Sequence, residues 1–407
     1  MRTIDKKEHG DIGKQLAVMK SHCAELISED ELVQKLKKNR HVRIKLGIDP
    51  SAPEIHLGIA VQLRKLRQFQ DLGHTAVLVV GDFTGMIGDP SGLSKTRPKL
   101  TRDAIKKNMA KYREQIFKIL DPKKTEFVYN SKWLGALTMY DFIDIASKYT
   151  VARILERDDF SQRLKEGIPV YMHEIIYPIC QAYDSVAIKA DIELGGTDQK
   201  FNLLVGRELM RELGMEPQVV LTMPILEGTD GTRKMSKSYG NHIGIMEPAK
   251  DIFGKVMSLP DTLIVKYLEL TTDIFPHKLD EYAAAMRNNS VNPRDIKFEL
   301  AKTLVRMYHS ADVAEKTARD FEKVFSKGEI PDELAEYHCA AGELPIIDLL
   351  VQSKLMASRA EAKRKLREGA IDIDGQVIKD LSYVVSLEKP VIVRAGKHRF
   401  LKISRKK

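Results

Sequence analysis

Apolar and polar residues alternate along the first part of the chain in a pattern that predicts a strand, a helix and a second strand. In residues 41–49 every second position is apolar, which is typical of a strand. Residues 57–72 carry apolar side chains at helical spacing and end at Gly73, and residues 75–81 form the continuous apolar run of a buried strand. This succession predicts an α/β fold with a doubly wound parallel sheet, in which ligands bind beyond the carboxyl ends of the strands.

Later segments continue this pattern and add a helical region behind it. Short apolar runs at 192–194 and 218–221 predict two further buried strands with a helix between them. Residues 1–35 have the spacing of amphipathic helices. Residues 247–326 contain many Lys/Glu pairs and few β-branched runs, so we expect helices throughout that stretch.

The end of the chain predicts a small separate unit. Pro331 interrupts a segment without periodic pattern, which we interpret as a linker. A short helix at 346–350, a basic helix at 359–368 and an Asp374-Gly375 turn between alternating strands follow it. The predicted domains are an α/β domain at 1–245, an α-helical domain at 246–326, a linker at 327–343 and a small α+β domain at 344–407.

Composition places the chain among ordinary globular proteins. Its 407 residues are 43% hydrophobic and 30% charged, and that length favours two or three domains. The chain starts without the apolar core of a signal peptide, and no apolar run is long enough to span a bilayer. The three cysteines have no C-x-x-C spacing, so neither a disulfide framework nor a zinc site is predicted. We therefore expect a cytoplasmic protein with no membrane partner.

Positive charge is concentrated near the end of the chain. Residues 341–407 hold 15 basic and 8 acidic residues, which is +7 of the total net charge of +9. Such a basic segment fits a polyanionic partner, but it fits a solvated, solubilising surface equally well, because charge carries no information about specificity.

Two motifs far apart in the chain have the chemistry needed to bind polyphosphate. The first, Asp-Pro-Ser-Ala-Pro-Glu-Ile-His-Leu-Gly, contains Ser51, His56 and Gly58 and lies at a predicted strand-to-helix junction, where helix N-termini favour anions. The second, Lys-Met-Ser-Lys-Ser, contains Lys234 and Lys237, whose ammonium groups can bind phosphate as mobile charges. On opposite sides of one nucleotide, the two motifs would hold its triphosphate from both flanks.

Three polar residues share one face of a predicted helix. Tyr177, Gln181 and Asp184 follow the spacing i, i+4, i+7, and their neighbours are apolar, so they would line a pocket inside a core. The alternative is that backbone partners satisfy all three side chains. Pro178 weakens the helix near its start.

Two glycine-rich segments follow predicted strands. Gly195-Gly196-Thr197-Asp198-Gln199 could let a ribose approach the backbone while Asp198 accepts its hydroxyl hydrogens; a plain glycine turn with Thr197 as N-cap is the alternative. Residues 81–92 contain four glycines and two aspartates, of which Asp89 could face a substrate ammonium. Turn chemistry alone could also explain that segment.

Five segments occur in a fixed order along the chain: Asp-Pro-Ser-x-Pro-x-x-His-x-Gly, Gly-Asp-Pro-Ser-Gly, Tyr-x-x-x-Gln-x-x-Asp, Gly-Gly-Thr-Asp-Gln and Lys-Met-Ser-Lys-Ser. Together and in this order, they resemble the motifs of the bacterial tyrosyl-tRNA synthetases of class I. The resemblance covers essentially the whole chain. Two segments are similar to the second bacterial branch of that family: Lys-Leu-Gly-Ile-Asp-Pro, which begins at Lys45, and Gly-Thr-Asp-Gln-Lys-Phe-Asn. The segment that begins at Ser358 resembles an S4 RNA-binding domain. The resemblance implies a Rossmann-like catalytic domain at 1–245, an α-helical tRNA-binding domain at 246–326 and an S4-like domain at 344–407.

The resemblance also implies a role for each motif residue. For tyrosine, Asp89, Tyr177 and Gln181 would hold the ammonium, Asp184 would accept the phenol hydrogen, and Gln199 would approach the carboxylate. For ATP, the binding residues would be His56, Gly58, Gly196, Asp198 and Lys237, with Gly196 and Asp198 on the ribose. The catalytic residues would be Ser51 and His56 on the departing phosphates, and Lys234 and Lys237 over pyrophosphate. For tRNA, the basic residues would be Arg359, Lys363, Arg364 and Arg367.

The implied reaction has two steps and several partners. L-tyrosine and ATP give tyrosyl-adenylate and pyrophosphate, and the tyrosyl group then passes to the 3′-terminal adenosine of tRNA(Tyr). Mg²⁺ would arrive with the ATP phosphates, without a metal site of the protein's own. The family resemblance further implies a homodimer.

Three residues depart from the family pattern. Ile59 follows Gly58 where a second histidine is expected, Lys45 stands where many relatives have a tyrosine that shares the phenol contact, and Leu93 stands where relatives often carry a basic residue. These departures leave two alternatives open: a synthetase-like RNA-binding protein whose catalysis has decayed, and a paralogue that activates a modified tyrosine or another aromatic amino acid.

Overall fold

The computed structural model describes residues 11–38, 41–50, 53–91, 100–323, 334, 336–396 and 399–406, without the side chain of Arg102. The chain forms two compact units, Met1–Tyr308 and His309–Lys407. Ser51 and Leu93 lie outside the described residues, as do residues 1–10 and residues 327–333 and 335 of the predicted linker. Among the helices that are described, none has both the length and the apolar character needed to cross a membrane.

A mixed sheet forms the centre of the first unit. Its strands are β1 (Glu25–Ile27), β2 (Arg43–Ile48), β3 (Thr75–Val80), β4 (Thr125–Tyr129), β5 (Ile192–Gly196) and β6 (Val219–Met223). Their order is β1-β6-β5-β2-β3-β4, and all neighbours are parallel except β1 and β6. Both faces are covered, since β3, β5 and β6 are buried at nearly every position. The predicted α/β fold with a parallel, doubly wound sheet is confirmed.

Helices surround this sheet and continue behind it. In chain order they are α1 (Ile12–Lys20), α2 (Glu29–Lys38), α3 (Leu57–Asp71), α4 (Thr84–Ile87), α5 (Arg102–Ile116), α6 (Ser131–Leu134), α7 (Met139–Ser147), α8 (Val151–Leu155), α9 (Asp158–Lys165), α10 (Met172–Ile188), α11 (Lys200–Glu212), α12 (Ala249–Met257), α13 (Ile264–Thr271), α14 (Pro276–Arg287) and α15 (Pro293–Tyr308). Short 3-10 helices lie at Pro122–Lys124, Thr197–Gln199, Lys237–Tyr239 and Asp261–Leu263.

Two local predictions differ from the structure. The spacing in residues 1–35 predicts helices, but Glu25–Ile27 pairs with β6 as an edge strand, a long-range contact that local periodicity does not report. Gly196 ends β5 and is the N-cap of the 3-10 helix Thr197–Gln199, and Gln199 is the N-cap of α11, so the alternative of Thr197 as N-cap is wrong. Helix α10 continues through Pro178. Strand β4 had no counterpart in the prediction.

The second unit is a small α+β arrangement with its own core. It contains α16 (Ala311–Glu322), α17 (Ile346–Gln352), α18 (Arg359–Arg367), β7 (Glu336–Cys339), β8 (Glu343–Pro345), β9 (Ile371–Ile373), β10 (Gln376–Val377), β11 (Val384–Ser386), β12 (Val391–Ala395) and β13 (Arg399–Arg405). Its main sheet has the order β10-β9-β12-β13-β7, and β11 pairs with β8. Asp374 and Gly375 turn between β9 and β10 with φ of 49° and 90°, as the sequence predicts. Strand β7 lies within the predicted linker.

Candidate active site

The two polyphosphate motifs meet beyond the carboxyl end of the sheet. The backbone N–H of Leu57 donates to Ile243 O at 2.9 Å, and that of Ile245 donates to Ile55 O at 3.0 Å. A Cβ added at Gly58 would lie 3.5 Å from Met235 Cβ and 3.1 Å from the His56 ring, so glycine suits the narrow space between them. The segment that follows the Lys-Met-Ser-Lys-Ser loop is therefore hydrogen-bonded to the segment that carries His56, and Met235 of the loop lies close to Gly58.

His56 is a neutral donor at the start of α3. It is the N-cap residue of that helix, and its Nδ1 has no hydrogen-bond partner among the described residues. Burial lowers the pKa of His56 to about 4, and the nearby charges of His242 and Lys237 add to this effect. A neutral imidazole can still donate one N–H to a phosphate oxygen.

Both lysines of the second motif face carboxylates at the rim of the site. Lys234 Nζ lies 3.1 Å from Asp198 Oδ2, and Lys237 pairs with Glu54. The hydrogen bond from Lys237 holds the pKa of the Glu54 carboxyl below its usual range. All four side chains are partly exposed, so these ammonium groups can exchange a carboxylate for phosphate.

The end of β5 offers a close approach to the backbone next to Asp198. A Cβ added at Gly196 would lie 2.6 Å from Asp198 Oδ1 and 3.3 Å from Gln62 Nε2. This crowding explains the glycine at that position. Asp198 stands directly after the strand, where its carboxylate and the Lys234 ammonium share one edge of the sheet.

Tyr177, Gln181 and Asp184 do share one face of α10, as their spacing predicts. The Tyr177 hydroxyl donates to Asp49 Oδ2 at 2.9 Å, and Thr84 Oγ1 donates to Asp49 Oδ1 at 2.8 Å. Gln181 Nε2 donates to Glu193 Oε1 at 3.2 Å. These partners are side chains of the sheet and its loops, so the alternative in which only backbone groups satisfy the three residues is wrong.

Asp184 is a buried carboxylate held by two donors that the sequence did not reveal. Trp133 Nε1 donates to its Oδ1 at 2.8 Å, and Asn130 Nδ2 donates to its Oδ2 at 3.2 Å. Burial raises the pKa of Asp184 to about 6, although the charge of Lys45 and the two hydrogen bonds oppose that rise. Asn130 and Trp133 follow β4, and recognition of that strand would have marked them as candidates.

Asp89 and Gln199 come together although they are far apart in sequence. Gln199 Nε2 donates to Asp89 Oδ2 at 2.7 Å, while the backbone N–H and the hydroxyl of Ser91 donate to Asp89 Oδ1 at 2.9 and 2.6 Å. Asn202 Nδ2 in turn donates to Gln199 Oε1 at 3.0 Å. The two predicted tyrosine contacts therefore form one hydrogen-bonded group.

The four predicted tRNA contacts lie in the second unit. Arg359, Lys363, Arg364 and Arg367 are all exposed on α18. Two of them have acidic partners: Arg359 pairs with Asp348, and Arg364 Nε lies 3.8 Å from Glu368. The exposed face of this helix is therefore basic and open to solvent.

Comparison with known proteins gives the same family along the whole chain. Residues 37–326 match the family described as tRNA synthetases class I (W and Y), and residues 325–403 match the tyrosine--tRNA ligase SYY-like C-terminal domain. The tyrosine--tRNA ligase of Thermotoga maritima is 52% identical over 391 residues, which cover 96% of this chain and 97% of that protein. That of Carboxydothermus hydrogenoformans is 50% identical over 403 residues, 97% of this chain and 98% of that protein.

Solved structures agree with the fold. A tyrosyl-tRNA synthetase from Archaeoglobus fulgidus, complexed with L-tyrosine, matches with a TM-score of 0.63 and 24% identity over 76% of this chain and 100% of that chain. A C-terminally truncated mitochondrial tyrosyl-tRNA synthetase from Aspergillus nidulans matches with a TM-score of 0.65 and 19% identity over 78% of this chain and 98% of that chain. At these identities the likeness concerns the fold alone.

Proposed function

The chain belongs to the tyrosine–tRNA ligases, within the class I tRNA synthetases of the tryptophan and tyrosine group, and from this membership we propose how its residues work. It is an aminoacyl-tRNA synthetase that activates L-tyrosine with ATP and then transfers the tyrosyl group to the 3′-terminal adenosine of tRNA(Tyr). The observation that carries the proposal is the hydrogen bonding of the His56 segment to the segment that follows the lysine loop, in a unit that also holds the buried carboxylate of Asp184. Charging of bacterial tRNA with labelled tyrosine in the presence of ATP tests it.

Tyrosine binds between α10 and the loops that follow the strands. Asp184 accepts the phenol hydrogen, because its buried carboxylate, held by Trp133 and Asn130, is oriented for one further donor. Asp89, Tyr177 and Gln181 bind the ammonium, and Gln199 approaches the carboxylate. The hydrogen bond between Gln199 and Asp89 supports their placement at one end of the same ligand.

ATP binds across the junction of the two motifs. Gly196 and Asp198 hold the ribose, and the crowding at Gly196 supports a backbone approach there. His56 donates to the departing phosphates beside Gly58, and Ser51 is proposed to join it. Lys234 and Lys237 leave their carboxylate partners and neutralise pyrophosphate as charge develops on it.

Catalysis rests on positioning and charge. The tyrosine carboxylate attacks the α-phosphorus of ATP, the bond to the β-phosphate breaks, and pyrophosphate leaves. A terminal ribose hydroxyl of tRNA then attacks the acyl carbon, and AMP leaves. No side chain of the enzyme forms a covalent bond in either step.

Mg²⁺ is proposed to enter with the ATP phosphates. The side chains proposed to face the phosphates are ammonium and imidazole groups, which fit phosphate oxygens and are not the oxygen ligands that Mg²⁺ prefers. In the described ranges, no group of three or more His, Cys, Asp or Glu residues could hold a metal ion. The ion would neutralise charge on the phosphates.

The second unit is proposed to bind tRNA. Arg359, Lys363, Arg364 and Arg367 present basic groups on the exposed face of α18, which suits contacts to phosphates. The match of residues 325–403 to the tyrosine--tRNA ligase SYY-like C-terminal domain supports the polyanionic partner over a merely solubilising surface.

A homodimer is proposed for the first unit. One stretch of the chain exposes a group of large apolar side chains, which is unusual for a monomer surface. They are Met139, Tyr140, Ile143, Val151, Tyr171 and Met172. Tyr140 is 87% exposed and Met139 72%. A second copy of the chain would cover this surface, and the tRNA would bridge the two subunits.

The cytoplasm is the proposed compartment, because tRNA is charged there and Cys23, Cys180 and Cys339 are free thiols. The relatives are named as ligases, which disfavours the alternative of a decayed RNA-binding protein. No contact among the described residues favours a modified tyrosine over tyrosine.

A further inference from the structure

Lys45 and Glu193 form a buried ion pair in the middle of the sheet. They are Cα partners in the parallel pairing of β2 and β5, and their Nζ and Oε1 atoms are 2.9 Å apart. The side chains are 0% and 1% exposed. A fully buried pair is costly to keep unless every polar atom in it is satisfied, so its partners are informative.

The pair binds α10 at the turn that carries Gln181. Lys45 Nζ donates to the backbone oxygen of Gln181 at 2.7 Å and to Ser185 Oγ at 2.8 Å. Glu193 Oε1 accepts from the side-chain amide of Gln181 at 3.2 Å, and its Oε2 accepts from Ser185 Oγ at 3.2 Å. Both the main chain and the side chain of Gln181 are therefore fixed by the two charges.

The ammonium group of Lys45 is fully hydrogen-bonded. The three ammonium hydrogens of Lys45 have three acceptors, namely Gln181 O, Ser185 Oγ and Glu193 Oε1. Gln218 Nε2 donates a hydrogen bond to Oε2, the second carboxylate oxygen of Glu193. A Cβ added at Gly206 would lie 2.7 Å from Gln218 Nε2, so glycine leaves room for this contact under α11. Lys45 thus has no hydrogen left for a substrate hydroxyl.

The same pair sets the charge environment of Asp184. Burial raises the pKa of Asp184, the positive charge of Lys45 lowers it, and the negative charge of Glu193 raises it. Trp133 and Asn130, which face Asp184 after β4, are neutral donors that also lower it. Lys45 is therefore the cation whose charge favours an ionised Asp184.

We propose that Lys45 and Glu193 are positioning residues for tyrosine recognition, which fix Gln181 and balance the charge of Asp184 without touching the substrate. This inference rests on the proposed tyrosine site, since it assigns the pair to that pocket. It gives Lys45 a role different from that of a direct phenol contact. It also predicts that the two charges act on tyrosine binding in opposite directions.

The test measures the Kd for L-tyrosine by equilibrium dialysis across pH, in the full-length protein without ATP. We call the loss of tyrosine affinity toward low pH the acid limb of the profile. Lys45→Met removes the positive charge, so this acid limb should move to higher pH by about one unit or more, and the Kd near neutral pH should rise about tenfold. Glu193→Gln is isosteric and removes the negative charge, so its acid limb should move to lower pH. Structural damage alone would not move the two limbs in opposite directions.

A matched control keeps the result specific. Lys35 is another buried lysine, 3% exposed and paired with Asp191 and Glu216, so Lys35→Met should leave the acid limb in place. The double variant Lys45→Met/Glu193→Gln removes both charges and avoids an unpaired one, so thermal unfolding should show recovered stability. The two charge effects on Asp184 offset each other in this variant, and tyrosine affinity should stay below that of the wild type because Gln181 has lost its bond from Lys45.

Several results would contradict the proposed positioning role of Lys45 and Glu193. Acid limbs that stay in place, or that move in the same direction in both single variants, overturn the inference, as does wild-type tyrosine affinity in a folded double variant. If Lys45→Met does not fold, the direction of the limb in Glu193→Gln decides. A wild-type protein that binds no tyrosine would instead contradict the proposed function.

Discussion

Trp133 donates its indole N–H to Asp184 at 2.8 Å, and this bond orients the buried carboxylate that is proposed to accept the phenol hydrogen of tyrosine. Trp133 and Asn130 each donate to one oxygen of this carboxylate, so both oxygens can still accept a further hydrogen bond. The side chain is buried, so water has little access to them. A hydroxyl that fills this capacity is favoured, and a ligand without one leaves a buried acceptor unpaired. This relationship accounts for how the pocket could distinguish tyrosine from phenylalanine.

Tyrosine affinity should depend on pH through Asp184. Because burial raises the pKa of this group to about 6, the carboxylate is charged at neutral pH and accepts the phenol hydrogen. As the pH falls through that value the group becomes protonated, so the Kd for tyrosine should rise by up to about tenfold per pH unit. Equilibrium dialysis measures it, and Asp184→Asn should give a flat profile. A flat profile in the wild type would remove Asp184 from this role.

Lys237→Ala should slow adenylate formation without weakening tyrosine binding. The lysine contacts pyrophosphate mainly as charge develops there, so its removal lowers kcat by roughly 100-fold or more and leaves the KM for tyrosine nearly unchanged. ATP–pyrophosphate exchange kinetics measure both values. Lys250→Ala, which removes an exposed lysine of α12, is the control and should behave as wild type. A normal kcat with a raised tyrosine KM would contradict the assignment.

Replacing the four basic residues of α18 by glutamine should weaken tRNA binding and spare the first step. The logarithm of the tRNA binding constant falls linearly with the logarithm of the salt concentration. For every phosphate that the variant no longer neutralises, the magnitude of this slope should fall by at most about 0.9. Filter binding at several salt concentrations measures the slope, and pyrophosphate exchange in the same variant serves as the internal control. Unchanged tRNA affinity with the wild-type slope would show that this helix does not contact RNA.

Tyr140→Glu should dissociate the proposed dimer. The side chain is 87% exposed in the single chain, and a buried, unpaired carboxylate at an interface is strongly unfavourable. Sedimentation velocity should then give a monomer, whereas Phe275→Glu, at an exposed apolar position outside the 139–172 stretch, should remain dimeric. A wild-type protein that sediments as a monomer at micromolar concentration would contradict the dimer itself.

Local patterns predicted the fold class and the separate motifs, but not how they combine. The face shared by Tyr177, Gln181 and Asp184 follows from helical spacing within a few residues, so it was predictable. The roles of Asn130 and Trp133 were not, because they depend on β4, a fifth parallel strand whose sequence has a weak apolar pattern.

Buried polar partners were the least predictable part of the site. Lys45 stands on a strand whose alternation suggests a polar, outward-facing position, yet the sheet is covered on both faces and the residue is fully buried. Its partner Glu193 becomes visible only once the register of β2 and β5 is known. The edge strand Glu25–Ile27 was missed for the same reason, since its pairing with β6 is long-range.

The most direct measurement is ATP–pyrophosphate exchange with each of the standard amino acids, on the wild-type protein and on Asp184→Asn. The wild type should support exchange with L-tyrosine and discriminate strongly against phenylalanine. In Asp184→Asn the preference for tyrosine over phenylalanine should fall by about tenfold to a hundredfold, because a neutral amide replaces the charged buried acceptor, which costs most when it is left unpaired. Exchange supported by another amino acid in preference to tyrosine, or no exchange with any of them, would contradict the account.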